Sequence, residues 1–294
     1  MIGHSKPDVQ KTRIANSMGR ARILMEALPY IKQFRGKTVV VKYGGSAMED
    51  PVLRESFAGD VTLLSMVGIR PVVVHGGGPQ ISAAMEADGI EPRWIDGLRV
   101  TDEAAIQVVQ RTLVGVINPE IVRFLNGRGA SAIGVNGLDA DLFRARPKDE
   151  RLGFVGDIVE VNSDLIEGMV DRGLIPVVAS IARGEDGQVY NVNADTAAAV
   201  LARALRAQKL VYLTDVEGVY ENVDEPTSLI SRMDLQDMKA LLGRIQGGML
   251  PKLKSVAEAL EGGVAQAHIL DGRVQHALLL EIFTSEGIGT MVTA

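Results

Sequence analysis

The sequence predicts an α/β fold in which helices cover both faces of a mostly parallel sheet. Three observations predict it. Hydrophobic residues make up 46% of the 294 residues and aromatics only 4%. The core is therefore built from Val, Ile, Leu, Ala and Met, which suits helices on a parallel sheet better than an all-β sandwich. Short β-branched runs alternate with helix-length segments along the chain. Two of these runs, Val39-Val-Val-Lys-Tyr-Gly-Gly-Ser46 and Val72-Val-Val-His-Gly-Gly-Gly-Pro79, end in glycines that open into a helix.

In chain order, residues 1–11 are polar and loose. Residues 12–33 read as an amphipathic helix, with Ile14, Met18, Ala21, Met25 and Leu28 at steps of four and three. Gly19 and Pro29 weaken or kink it. Lying ahead of the first core strand, this helix either packs on its own domain or interlocks between subunits. Strands are expected at Thr38–Tyr43, Pro71–His75, Ala132–Val135, Ile175–Ser180, Leu210–Thr214 and Ala267–Leu270. Helices are expected at Pro51–Val67, Gln80–Asp88, Asp102–Leu113, Asn118–Asn126, Ser163–Arg172, Ala194–Arg206, Leu235–Leu242 and Leu250–Glu261. Residues 143–162 read as a charged hairpin. Composition places a lobe boundary near residue 180.

Composition also excludes function classes. A net charge of −6 leaves no global field to draw nucleic acid, so positive potential for an anionic ligand must be local. With no cysteine, disulfides, thiolate metal sites and a cysteine nucleophile are ruled out. No apolar run reaches the ~18 residues of a membrane span, and the polar N-terminus lacks a signal-peptide core. A cytoplasmic protein is expected. The P-loop, the dinucleotide fingerprint, H-E-x-x-H and G-x-S-x-G are all missing.

The candidate chemistry lies at strand ends. A strand that ends in glycines and opens into a helix offers free N–H groups and a positive helix end to phosphate or carboxylate. Lys42 sits in an apolar run, where an ammonium needs an anionic partner. Gly44 and Gly45 let the backbone approach a phosphoryl group. In Gly97-Leu-Arg-Val-Thr-Asp102, Arg99 precedes a helix capped by Thr101 or Asp102 and suits a carboxylate clamp. In Asn191-Val-Asn-Ala-Asp195, both amides fall on one side of an extended chain and Asp195 enters a first helical turn. Leu213-Thr-Asp-Val-Glu-Gly218 ends another apolar strand, a place for a nucleotide. Lys252 falls in a first helical turn, where the dipole disfavours a cation unless an anion is near. Together these features describe a phosphoryl-transfer site.

Lys42-Tyr-Gly-Gly, His75-Gly-Gly-Gly-Pro, Gly97-Leu-Arg-Val-Thr, Asn191-Val-Asn-Ala-Asp and Gly248-Met-Leu-Pro-Lys, in this order over nearly the whole chain, resemble the acetylglutamate kinases of the amino acid kinase family. The resemblance implies an open αβα sandwich. Residues 1–35 become an N-terminal extension helix, 36–180 an acetylglutamate lobe and 181–294 an ATP lobe with an effector segment. It implies transfer of phosphate from ATP, with Mg²⁺ held mainly by the nucleotide, to the side-chain carboxylate of N-acetyl-L-glutamate, in arginine biosynthesis. Gly77, Gly78, Arg99 and Asn191 then contact the acceptor. Lys42 and Lys252 stabilise the transition state, organised by Asp195, while Gly44, Gly45, Thr214, Asp215 and Gly218 serve the nucleotide. The N-terminal helix resembles that of arginine-inhibited members, which implies a hexameric trimer of dimers. Tyr30, Lys209, His268, Glu281, Gly287 and Gly289 then surround L-arginine. A sibling kinase for glutamate, aspartate, carbamate or UMP, and a non-catalytic arginine sensor, stay open as alternatives. A PII-type signalling protein stays open as a further partner.

Overall fold

The computed structural model describes residues 18, 24–222, 225–243, 245, 249–285 and 287–294. The expected loose segment 1–11, most of the first half of the N-terminal helix (Ile14, Gly19 and Ala21 included) and Gly247 and Gly248 lie outside the described residues. The strands are β1 (Thr38–Tyr43), β2 (Arg70–His75), β3 (Trp94–Ile95), β4 (Leu98–Arg99), β5 (Ala132–Asn136), β6 (Phe143–Pro147), β7 (Gly156–Val161), β8 (Ile175–Ala179), β9 (Ile181–Gly184), β10 (Val189–Asn191), β11 (Lys209–Thr214), β12 (Val219–Tyr220), β13 (Leu229–Ile230), β14 (Arg232–Asp234), β15 (Gln266–Asp271) and β16 (Thr290–Thr293). The helices are α1 (24–34), α2 (Pro51–Met66), α3 (Gly78–Ala87), α4 (Glu103–Thr112), α5 (Asn118–Gly127), α6 (Ser163–Val170), α7 (Ala194–Ala204), α8 (Leu235–Leu242), α9 (Met249–Glu261) and α10 (Ala277–Phe283).

The central sheet runs β14-β16-β15-β11-β1-β2-β8-β5. The six strands expected from β-branched runs are its contiguous block β15-β11-β1-β2-β8-β5, and every pairing inside that block is parallel. β16 adds an antiparallel edge against β15 and carries β14 beside it. A smaller sheet, β10-β9-β6-β7, contains the expected charged hairpin as β6 and β7. Strand alternation sorts the core into two faces. Val39 and Val41 of β1 pack in one layer with Phe57, Val61 and Leu64 of α2, Ile81 of α3, Leu125 of α5 and Leu278 of α10. Val40, Val74, Leu210 and Tyr212 pack in the other with Ile166 of α6, Leu201 of α7, Met238 of α8 and Leu253 of α9. This is the αβα sandwich.

The eight expected core helices are α2 to α9, with ends within two residues of expectation. Two features differ. A π-helical turn at Leu113–Ile117 joins α4 directly to α5. The C-terminal run 276–290, which resembles an effector segment, forms α10 in its first half. At the N-terminus, α1 passes through Pro29 without a break, anchored at its end by the buried Phe34. Met18, Leu24, Met25 and Leu28 are exposed. The apolar stripe is therefore not covered by the described residues of its own chain.

Candidate functional site: two glycine turns and a doubly paired aspartate

The register of the sheet assembles the site. Lys42 of β1 lies opposite Val74 of β2, and Tyr43 opposite His75. The two glycine turns therefore leave the sheet side by side at its carboxyl edge. On the other flank Lys42 lies opposite Tyr212 of β11. Alternation places Lys42 on the same face as Val40, the face that α7 covers.

α7 begins with a built cap. Asn193 Oδ1 accepts the N–H groups of Asp195 and Thr196 at 2.9 and 3.1 Å, which fixes Asp195 in the first turn, where a carboxylate is favoured. Asp195 then meets two lysines. Lys252 Nζ donates to Oδ2 at 2.6 Å, and Lys42 Nζ lies 3.2 Å from Oδ1, an ion pair without an aligned hydrogen bond. Burial opposes ionisation of Asp195, yet Lys42 and Lys252 outweigh it and hold the carboxyl well below its usual range. Burial lowers the Lys252 ammonium, with Asp195 opposing. The anion that offsets Lys252 in its helical first turn is thus Asp195. Tyr212 supports the cluster from below. Its ring centroid is 5.1 Å from Lys252 Nζ, and its hydroxyl donates to the Asp195 carbonyl at 3.2 Å and pairs with Ser255 Oγ at 2.9 Å.

Lys42, Asp195, Gly44, Gly45, Gly76, Gly77, Gly78, Arg99 and Asn191 line one cleft of about 780 Å³. Arg99 arrives on a hairpin, β3–β4, whose turn residues Asp96 and Gly97 are both left-handed (φ 50° and 77°). Its guanidinium stacks on Trp94 at 4.4 Å and donates to Gly78 O at 2.9 Å and Ser82 Oγ at 2.7 Å. Asp102, not Thr101, caps the helix that follows, accepting from Ala105. Asn191 donates to Thr101 Oγ1 at 3.2 Å. Asn193 lines the cleft beside Asn191, with its side-chain oxygen taken up by the α7 cap.

Thr214, Asp215 and Gly218 are not in this cleft's lining. Thr214 ends β11, and Asp215 and Gly218 follow it, beside the first glycine turn. Asp215 Oδ1 accepts the Ser46 N–H at 2.8 Å. Gly45 is left-handed (φ 72°), and a Cβ there would lie 2.6 Å from Asp215 Oδ1. Gly218 makes room for Thr290, whose Oγ1 accepts the Val219 N–H. Among the described residues no group of three or more His, Asp or Glu side chains converges as a metal site.

A second cavity, about 730 Å³, opens at the other end of β11. Tyr30, Lys209, His268, Glu281 and Gly287 line it, together with Phe34, Arg232 and Gln266. Gly289 does not; a Cβ there would lie 2.2 Å from the Ile269 carbonyl, so this glycine serves packing on β15. Lys209 Nζ reaches Gln266 Oε1 at 2.7 Å and His268 Nε2 at 3.0 Å, and His268 Nδ1 reaches Glu281 Oε1 at 2.6 Å. Burial pulls Lys209 down to about 8, with Glu281 opposing. Trp94, Ser82, Tyr212, Ser255 and Gln266 are site neighbours that the sequence reading misses; strand register brings in Tyr212 and Gln266, the hairpin Trp94, and the turns of α3 and α9 bring in Ser82 and Ser255.

The sequence profile of the amino acid kinase family matches residues 37–271. The chain belongs to the amino acid kinase family. Within the family, it is 55% identical over 288 residues to the acetylglutamate kinase of Caldanaerobacter subterraneus, covering 97% of this chain and 96% of that one. Among solved structures it resembles N-acetylglutamate synthase from Neisseria gonorrhoeae in complex with coenzyme A and N-acetyl-glutamate, with TM-score 0.83, 31% identity and 93% of this chain covered. The same enzyme with coenzyme A and L-arginine gives TM-score 0.79 at 29% identity. The chain spans 63% and 65% of those two chains.

Proposed function

We propose that this chain transfers the γ-phosphoryl group of ATP to the side-chain carboxylate of N-acetyl-L-glutamate, a step of arginine biosynthesis. The observation that carries the reading is the cleft in which two adjacent glycine turns face an aspartate paired with two lysines. The acetylglutamate kinase at 55% identity over nearly the full length supports the choice of acceptor.

The chemistry follows from charge. Phosphoryl transfer has a loose transition state, so positioning and electrostatics do most of the work. The acceptor carboxylate is already ionised at neutral pH, and no general base is required. Lys42 and Lys252 flank the moving group, while Asp195 holds both in place and offsets one of their charges. Gly77, Gly78, Arg99 and Asn191 orient the acceptor on one side. Gly44, Gly45, Thr214, Asp215 and Gly218 receive the nucleotide on the other, which divides the sheet into an acceptor lobe and an ATP lobe. Asp195 is committed to two lysines, and among the described residues no cluster of His, Asp or Glu converges as a metal site; Mg²⁺ arriving with ATP would be held mainly by the nucleotide phosphates and water.

The second cavity is read as an arginine site. Glu281 suits a guanidinium, and a gonococcal relative binds L-arginine. The exposed stripe of α1 is read as an oligomer contact that completes a hexamer in the cytoplasm. The test is ADP release with a panel of acceptors, with and without arginine. The reading expects turnover with N-acetyl-L-glutamate, inhibited by arginine. Turnover with glutamate, aspartate, carbamate or UMP alone would move the chain to a sibling activity.

A further inference from the structure

His75 ends β2 immediately before the second glycine turn, and its ring is fully buried. Its Nδ1 lies 3.0 Å from the Gly76 carbonyl, and its Nε2 lies 3.0 Å from Asn118 Nδ2. A carbonyl only accepts, so Nδ1 carries the proton. Asn118 Nδ2 also faces the Val177 and Val135 carbonyls at 2.8 and 3.3 Å. With those acceptors around it, the amide nitrogen is the donor and His75 Nε2 the acceptor. The contacts themselves therefore select the Nδ1–H tautomer.

Asn118 directly follows the π-helical turn at 113–117. That turn also reaches the loop. A Cβ on Gly77 would lie 2.1 Å from Ile117 Cδ1 and 3.3 Å from Leu113 Cδ2. One irregular turn thus meets the glycine loop twice, through Asn118–His75–Gly76 and through Ile117–Gly77. The Gly76 C=O and the Gly77 N–H belong to one planar peptide and point in opposite directions. A hydrogen bond that draws the carbonyl toward the buried ring sends the N–H the other way.

We propose that the π-turn, Asn118 and His75 form a positioning module that aims the Gly77 N–H at the acceptor. His75 exchanges no proton with substrate. The proposal rests on the reading of the cleft as the acceptor site. Burial holds His75 down to about 4, so the ring is neutral at working pH, as this role requires.

Two measurements test it. Long-range ¹H–¹⁵N NMR of the histidine-labelled wild type should show His75 as the Nδ1–H tautomer at pH 6; the Nε2–H tautomer or an imidazolium would overturn the proposal whether or not the enzyme turns over. In steady-state kinetics, His75→Leu should raise KM for N-acetyl-L-glutamate about tenfold, the scale of one lost hydrogen bond, with KM for ATP nearly unchanged. His75→Asn keeps a donor near the Nδ1 position and should recover most of the loss. Equal impairment of both variants, or equal changes in both KM values, would overturn it. An inactive wild type would instead refute the acceptor assignment and leave the tautomer to decide this proposal.

Discussion

Two ammonium groups and one carboxylate leave the Asp195 cluster with a net positive charge, with Lys42 and Asp195 in the cleft lining. A transferring phosphoryl group has the opposite charge, and the cluster is already ordered before it arrives. Lys252→Ala should therefore lower kcat by at least ~10²-fold, the scale for losing one preorganised donor. Near-normal turnover would remove Lys252 from the mechanism. His75 gives a pH signature at the same scale. The unfolded chain takes up its proton near the ordinary ~6.5, whereas burial delays this to about 4 in the fold. Stability from this residue is full above the unfolded value and is lost as pH falls from there toward about 4, since the unfolded state then binds more protons. Urea unfolding at pH 7 and pH 4.5 should show wild type losing on the order of 2 kcal/mol more than His75→Asn. Equal losses would contradict a buried neutral ring.

At the scale of elements, α7 shows how a helix start places a functional group. The Asn193 cap fixes the turn that presents Asp195. Asn193→Ala should cost about 1 kcal/mol of stability and also lower kcat, while Asn193→Ser should preserve both; chemical denaturation and steady-state rates check this. Loss of stability with unchanged kcat would separate the cap from the chemistry. The legibility of the sequence also divides at this scale. β1, β2, β8 and β11 were readable because strands buried on both faces are near-continuous β-branched runs. β14 at the sheet edge and β16 beside it are strands of three and four residues, too short to stand out. α10 was missed because its start is stabilised from far away in sequence. Asp60 of α2 accepts the backbone N–H groups of Leu278 and Leu279 and pairs with His276 at 2.6 Å. No local capping signal records such a bond. For the same reason the lysines, Asp195, Arg99 and Asn191 were legible as residue types at strand and helix ends. Tyr212 beneath Lys252 and Trp94 beneath Arg99 were not, since cross-strand register and a left-handed hairpin turn bring them into place.

At the scale of the molecule, one sheet joins two kinds of site. β2 and β1 end at the glycine turns, and β11, next in order, ends at Thr214, just before Asp215. The opposite end of β11 starts at Lys209, in the second cavity. α1 reaches the same cavity through Tyr30 and Phe34 while exposing Met25 and Leu28. On the proposed reading of α1 as an oligomer contact and of the second cavity as an arginine site, deleting residues 1–33 should both reduce a hexamer to a dimer and weaken inhibition by arginine. Light scattering and inhibition curves check the two effects together, and an unchanged mass would refute the oligomer contact. The central claim concerns the acceptor and the bond formed, so its most direct measurement traps the product. Purified chain is incubated with ATP, Mg²⁺, N-acetyl-L-glutamate and hydroxylamine, which converts an acyl phosphate to a hydroxamate that added ferric ion turns coloured. The account predicts ATP-dependent hydroxamate from N-acetyl-L-glutamate, abolished by omitting either substrate. No hydroxamate from that acceptor, with an intact fold, would contradict it.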